Sequence, residues 1–314
     1  ELSTEVRQIW DALQATPIVQ TQFEVAGTTD EPLIGQRSEV RSRETNLGRL
    51  VADSTLWYAQ EFIDANNVNI DDVDIALKNG GGIRDNILGP NVTRFTIGAA
   101  LAFDNNLAIV ELTAKELLAT MENSISRVPS LDGRFPQVAG IYMEFDANRA
   151  GVSDRVTMVT PSRVGTLVVH RSNGTTDTVV QNFELVGDPN RTFVLATNNF
   201  LLTGGDGYRA LKAINDDPAR PTFATTIGEQ DILVNYIKNV LGGEVNLSDD
   251  MVDTRIGTYN PGNPRADYFA GEFGEASQEI VAYCPIARRL FVSNAFDNRV
   301  DVLDARDPDN LVFS

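Results

Sequence analysis

The chain has 314 residues, 42% of them hydrophobic, and its 44 acidic against 26 Lys and Arg side chains leave a net charge of −18. That is apolar matter enough for a buried core in one large or two smaller domains, and the wrong sign for a protein that tracks nucleic-acid phosphates. No apolar run approaches the roughly 18–20 residues of a membrane span; the single cysteine, Cys284, excludes an intrachain disulfide or thiolate cluster, and the single histidine, His170, argues against a zinc or two-metal centre built by this chain alone.

The opening stretch reads as a helix capped by Ser3 or Thr4, with Val6, Ile9, Trp10 and Leu13 at helical spacing and Pro17 as its end. Residues 27–36 are turn-rich. A second helix is predicted over 46–64, with Leu47, Leu50, Val51 and Tyr58 on one face, and a short strand over 73–77 runs into Asn79-Gly80-Gly81-Gly82. Thr113-x-x-Glu116 is a capping box that opens a helix carrying Leu117, Leu118, Met121 and Ile125. Residues 138–145 read as one strand, 166–180 as a hairpin about Asn173-Gly174, and 192–197 as a strand stopped by the glycines at 204–207. A second capping box, Thr226-x-x-Glu229, opens a helix with Ile232, Leu233, Tyr236, Ile237, Val240 and Leu241 that stops at Gly242-Gly243. Residues 259–272 read as a linker. Three β-like runs at 279–283, 290–293 and 299–303 then look like most of a four-stranded propeller blade. A lone blade cannot close a ring, so the chain reads as a fragment of something longer. The mixture of elements points to α+β with largely antiparallel sheets.

Four features carry chemistry. The triplet Gly80-Gly81-Gly82 lets backbone approach a ligand, and Arg84 adds a forked cation. The turn Gly204-Gly205-Asp206-Gly207 can aim the Asp206 carboxylate into a cleft, where it suits paired ribose hydroxyls. Arg41 and Arg43 precede a helix start, a place where phosphate binds. Phe103 and Phe200 each stand near a turn beside small or polar residues, and two facing rings can sandwich a planar base. Taken singly, each has an ordinary explanation: a tight turn, an Asp-Gly cap, a surface ion pair with Glu44, two core phenylalanines. His170 reads as a half-exposed strand residue and Cys284 as a bystander thiol in a turn before Pro285. The acidic pairs Asp71-Asp72, Asp216-Asp217 and Asp249-Asp250 lack calcium-loop spacing and read as solvated loops.

Their joint order is more specific. Arg41-x-Arg43-Glu44-Thr45-Asn46-Leu47-Gly48, Asn79-Gly80-Gly81-Gly82-Ile83-Arg84, Val110-Glu111-Leu112-Thr113, Gly133-Arg134-Phe135-Pro136-Gln137-Val138 and Asn199-Phe200 through Gly204-Gly205-Asp206-Gly207-Tyr208 follow one another as in the C-terminal domain of the 5′-nucleotidase family, which the chain resembles over residues 21–258. The resemblance implies a four-layer α/β/β/α substrate-binding domain, preceded by a linker helix over residues 1–20 and followed at 259–314 by a linker and a truncated propeller-like segment. It implies Phe103 and Phe200 as the base-stacking pair, Asp206 on the ribose, and Asn79, Arg84 and Arg41 on base, sugar and phosphate, with Arg43 a weaker candidate. Where the family often has Pro before the first stacking ring, this chain has Ala102, and Arg49 stands where a small or polar residue is common.

The family's catalysis lies in a preceding metallophosphatase domain with two divalent metals, whose motifs are absent from this sequence. The expectation is therefore a nucleotide-recognising half that hydrolyses nothing alone and whose partners are a nucleotide or nucleoside and the missing domain. Secretion, to the periplasm or outside the cell, is expected too; the chain opens at Glu1 without a Met, as after removal of a leader. The rival expectation is an extracellular structural or adhesive module that keeps the fold without the activity, and a lesser one is pairing of the terminal strands with another chain.

Overall fold

The computed structural model describes residues 3–249 and 255–259, and beyond them the backbone of four strands between 281 and 313. The chain divides into two units, Glu1–Tyr259 and Asn260–Ser314. The first begins with α1 (Thr4–Gln14) and α2 (Pro17–Gln22). α1 stops at Gln14, short of Pro17 as the sequence reading expects, and Pro17 then opens α2, where its fixed φ suits a first turn and its missing N–H is not needed. Of the apolar face expected on α1, Val6 and Ile9 are exposed.

There follow β1 (Val25–Thr28), α3 (Arg37–Val40), α4 (Asn46–Asn66), β2 (Ile75–Asn79), β3 (Asn91–Thr93), α5 (Arg94–Ala100), β4 (Asn106–Thr113) and α6 (Ala114–Ile125). Next come β5 (Pro136–Ala139), β6 (Ile141–Phe145), β7 (Val164–His170), β8 (Thr176–Gln181), β9 (Glu184–Leu185) and β10 (Thr192–Asn198). The unit ends with α7 (Asn199–Leu202), α8 (Arg209–Asp216), β11 (Thr222–Gly228), α9 (Glu229–Asn239) and β12 (Ile256–Thr258). The Thr45 hydroxyl accepts from Gly48 N at 3.0 Å and caps α4. The Thr113–Glu116 capping box forms as the sequence predicts, with Glu116 Oε2 accepting from Thr113 N at 2.7 Å.

Two five-stranded sheets organise the unit. In the first, of order β11-β4-β10-β2-β5, only the β10–β2 pairing is parallel. In the second, of order β12-β6-β7-β8-β9, only β12 with β6 is parallel. The sequence reads 138–145 as one strand, but the chain changes sheets inside it. Gly140 has φ 74°, and a Cβ there would lie 2.0 Å from the Asp74 carbonyl oxygen, so only glycine makes this step.

Alternation along the first sheet feeds two cores. Ile75, Leu77, Ala108, Val110 and Leu112 face α6 and the second sheet. Ala76, Ile109, Val194 and Ala196 face the other way, toward Ala52, Ala59 and Ile63 of α4 and Ile232 of α9. Each fully buried Leu, Ile or Val is worth about 1.5–3 kcal/mol. α4 and α9 thus cover one face of the first sheet, while α6, buried along almost its whole length, packs between the other face and the second sheet and touches both, with α8 beside it. The α+β class is the one the sequence reading expects.

Asn173-Gly174 turns the hairpin between β7 and β8, with Gly174 at φ 82°, and His170 ends β7 exposed. In the second unit β13 (Val281–Cys284), β14 (Arg289–Asn294), β15 (Arg299–Asp304) and β16 (Val312–Phe313) form an antiparallel sheet in chain order. The backbone of Cys284 closes β13 instead of lying in a turn; its side chain, and the linker expected after Tyr259, lie outside the described residues. Among the described residues no helix is long and apolar enough to cross a membrane.

Candidate functional site

Topology converges the motifs on one end of the first sheet. β2 and β10 run parallel, so Asn79 and Asn198 finish at the same end. β4 and β5 run opposite to them, so Asn106 and Pro136 begin there: Asn198 pairs beside Leu107 and Asn79 beside Pro136. The loops 79–84, 101–105, 131–135 and 199–208 therefore rim one edge, although they span more than a hundred residues of sequence.

Asp206 is the hub. It sits at φ 52° inside the single 3₁₀ turn Gly205–Gly207, with Gly204 and Gly207 also left-handed at φ 93° and 78°. Asn79 Nδ2 donates to its carboxylate at 2.7 Å, and Asn123 Nδ2, from α6, donates to its carbonyl at 3.2 Å. Burial pushes the Asp206 carboxyl above the ordinary 3.8; the Asn79 hydrogen bond opposes this, and the Asp132 carboxylate adds to it. Gly81 N donates to Gly133 O at 2.8 Å, which ties the glycine triplet to the 131–135 loop.

Arg41 lies against that loop, its Nη1 3.4 Å from the Leu131 carbonyl. Burial lowers the pKa of its guanidinium, as do the neighbouring cations Arg37 and Arg84, while Asp206 and Asp132 pull the other way. Two polar atoms here, Arg41 Nε and Asn79 Oδ1, are buried with no hydrogen-bond partner. Such atoms cost about 1–3 kcal/mol each unless something answers them.

Arg84 is exposed; its Nη1 reaches the Gly81 carbonyl at 3.3 Å and its guanidinium carbon stands 5.4 Å from the Phe103 ring centre. Phe103 and Phe200 are 46% and 43% exposed, so neither is a core ring, and no described aromatic stacks on either. They extend from neighbouring strand ends, stitched by Asn106 N donating to Asn199 Oδ1 at 3.0 Å. The Phe200 ring lies over Gly205: a Cβ there would meet Cζ, Cε1 and Cε2 at 2.4–2.6 Å.

The structure thus gathers Arg41, Asn79, Arg84 and Asp206 into one polar cluster and hangs Phe103 and Phe200 at its rim. It does not bring Arg43 there. That guanidinium is taken by Glu39 at 2.8 Å and Asp249 at 2.6 Å, and not by Glu44, whose backbone carbonyl alone it reaches. Asp249 is accordingly no solvated loop residue; it also accepts from Asn46 N at 3.0 Å and fastens the start of α4.

Sequence reasoning missed several supporting residues. Arg134 donates to Asp132, Asn123 and Ser126, and its carbonyl takes the buried Tyr208 hydroxyl at 2.7 Å. The signal for it is its place in the Gly133–Val138 run; nothing marks Asn123 among the apolar positions of α6. The second predicted capping box does not form. α9 starts at Glu229 with Gly228 at its N-cap, Thr226 is exposed, and Glu229 turns inward to pair with the buried Lys78. Burial draws the Lys78 ammonium down from 10.5 to about 7, and the Glu229 carboxylate is the counter-charge against it.

The cluster can hold a neutral polyol with Asp206, an anion with Arg41 and Arg84, and a flat ring with the phenylalanines. Among the described residues no three His, Cys, Asp or Glu side chains converge to hold a metal.

Residues 25–213 match the family described as 5′-nucleotidase, C-terminal domain. The chain is 37% identical over 208 residues to the trifunctional nucleotide phosphoesterase protein YfkN of Bacillus subtilis (strain 168), covering 66% of this chain and 12% of that protein. It is 28% identical to the 5′-nucleotidase of Homo sapiens, covering 59% of this chain and 30% of that protein. In three dimensions it overlays the 5′-nucleotidase precursor of Thermus thermophilus with a TM-score of 0.63 at 29% identity, covering 82% of this chain and 44% of that one. The chain spans less than half the length of each.

Proposed function

We propose, from the premise that this chain belongs to the 5′-nucleotidase C-terminal domain family, that residues 21–258 are the nucleotide-recognising half of a secreted, metal-dependent phosphoesterase. Metal-activated water would come from a metallophosphatase domain outside this chain; nothing among the described residues supplies it. The terminal sheet is read as one blade of a propeller-like domain.

The observation that carries the reading is the Asn79–Asp206 contact at 2.7 Å, flanked by two half-exposed rings from adjacent strand ends. Phe103 and Phe200 take the base between them, each stacked face worth about 1–3 kcal/mol. The Asp206 carboxylate accepts from both ribose hydroxyls, and Asn79 Oδ1 receives a ligand N–H or O–H that its own chain does not provide. Arg41 and Arg84 lie against the phosphate, where a cation offsets its charge. The chain's contribution to hydrolysis is then positioning: the leaving nucleoside is fixed while the phosphate is presented to the other domain.

Calorimetric titration of adenosine and AMP into the chain tests this. Binding of both, AMP the tighter, and its loss in the Phe103→Ala/Phe200→Ala variant is the expected result. No binding, or binding indifferent to both rings, rejects nucleotide recognition in favour of a module that keeps only the fold.

A further inference from the structure

A buried group behind the rim has no part in the reading above. Glu229, the first residue of α9, is among the buried polar side chains, and its two carboxylate oxygens face two different loops. Oε1 accepts from Asn198 Nδ2 at 3.0 Å and pairs with Lys78; Oε2 accepts from Asn105 Nδ2 at 3.2 Å. The backbone repeats the link, with Glu229 N donating to Asn105 O at 3.0 Å, and the next residue, Gln230, donates from Nε2 to Leu101 O at 2.8 Å.

Each asparagine is two residues from a phenylalanine. Asn105 follows Phe103 in the 101–105 loop. Asn198 precedes Phe200, and its Oδ1 accepts from Leu201 N at 2.9 Å, capping the one-turn helix on which Phe200 rides. Lys78 directly precedes Asn79. One carboxylate therefore grips the roots of both aromatic loops and the strand that delivers Asn79.

We propose that Glu229 is a positioning residue that sets the separation of Phe103 and Phe200, through Asn105 on one side and Asn198 on the other. A planar base needs a gap of fixed width, and two half-exposed rings on short loops have little packing of their own to hold one. A charged acceptor buried between the loop roots supplies the restraint, because leaving it, or Lys78, without partners is costly. The proposal rests on the nucleotide-recognition reading for its ligand, and on the geometry alone for the restraint.

Three variants test it: Asn105→Ala, which leaves the Lys78–Glu229 pair intact; Glu229→Gln; and Glu229→Gln with Asn105→Asp, which exchanges donor for acceptor across the same gap. The readouts are AMP affinity by calorimetry and amide hydrogen exchange of residues 101–106 and 199–205 without ligand. Asn105→Ala and Glu229→Gln should each weaken AMP about tenfold and speed exchange in the loops while the remaining amides of the sheet stay protected. The exchanged pair should recover affinity to within about threefold of native. If loop exchange quickens but the native chain never binds AMP, the restraint stands and the nucleotide reading falls. If the native chain binds AMP and both single variants keep its affinity, whatever their exchange, the positioning role is overturned.

Discussion

The two ends of the first sheet carry the same chemistry in opposite states. At the far end Asp74, just before β2, receives Arg171 Nη1 at 2.9 Å; Arg171 Nη2 reaches Asp177 at 2.9 Å, and Arg191 joins Asp177 at 3.0 Å. The Arg171 guanidinium lies 4.0 Å from the centre of the Phe193 ring, which is 1% exposed. At the near end stand Asp206, Arg41, Arg84 and Phe103: two arginines and a ring again, with one carboxylate where the far end has two. There the ring is open to solvent, and Asn79 Oδ1 and Arg41 Nε go unanswered. A structural polar network closes on itself; one built for a ligand leaves valences for it. Residue types do not separate the two cases, and the count of unmet donors and acceptors does.

The largest effects should separate the rings. Phe193→Ala empties a filled site under Arg171 and should cost about 3–5 kcal/mol of stability. Phe103→Ala should change stability by no more than about 0.5 kcal/mol, while lowering AMP affinity by about 1–3 kcal/mol. Denaturant titration alongside calorimetry reads both; a Phe103 variant that unfolds like the Phe193 variant would erase the distinction.

The arginines sharpen it next. Arg171→Ala leaves Asp74 buried against an empty partner and should cost about 3 kcal/mol of stability. Arg41→Ala removes a cation that burial and two like charges already disfavour, so melting temperature should hold or rise. AMP affinity should fall by about 1.5–3 kcal/mol, the worth of a charge-assisted hydrogen bond, and adenosine affinity much less.

The carboxylates differ in what acid does to them. Burial holds Asp206 above the ordinary 3.8 in the fold. Its stabilising contribution is therefore full below that value and lost as pH rises through the folded pKa. In the proposed nucleotide complex the charged form is the one that accepts from ribose. Adenosine affinity should consequently decline on acidification at a higher pH than an ordinary aspartate would impose, by up to about tenfold per pH unit, with proton release on binding. Asp206→Asn should bind weakly with a flat profile. A native profile that stays flat down to the ordinary aspartate range would remove Asp206 from the ribose.

How much of this the sequence disclosed follows from what is local. The Thr113–Glu116 cap, the Asn173-Gly174 hairpin and the start of α4 depend on neighbours a few residues apart, and they read correctly. The switch of sheets at Gly140 does not, because its cause is the Asp74 carbonyl 66 positions earlier. The six ligand-facing candidates are named through the order of motifs, which carries family resemblance but no geometry. Glu229 shows the limit best. Thr226-x-x-Glu229 has the spacing of a capping box, and local rules assign its acid to the helix start. Lys78, Asn105 and Asn198 claim it instead, from strands that no short window contains.

The smallest effect separates holding a ring from having one. Gly205 lies outside the left-handed region that Gly204 and Gly207 occupy, and the nearest atoms an added Cβ would meet are those of the Phe200 ring, at 2.4–2.6 Å. Gly205→Ala should push that ring outward without deleting it. The unfolded chain loses freedom, which should stabilise the fold by about 0.4–1 kcal/mol, whereas the base loses one aligned face and AMP affinity should drop by about 1 kcal/mol. Stability and affinity thus move in opposite directions at the open end, a combination the closed end cannot produce, because there ring placement and folding are the same event. If both fall together, the Phe200 ring is part of the packing and the near end is as closed as the far one.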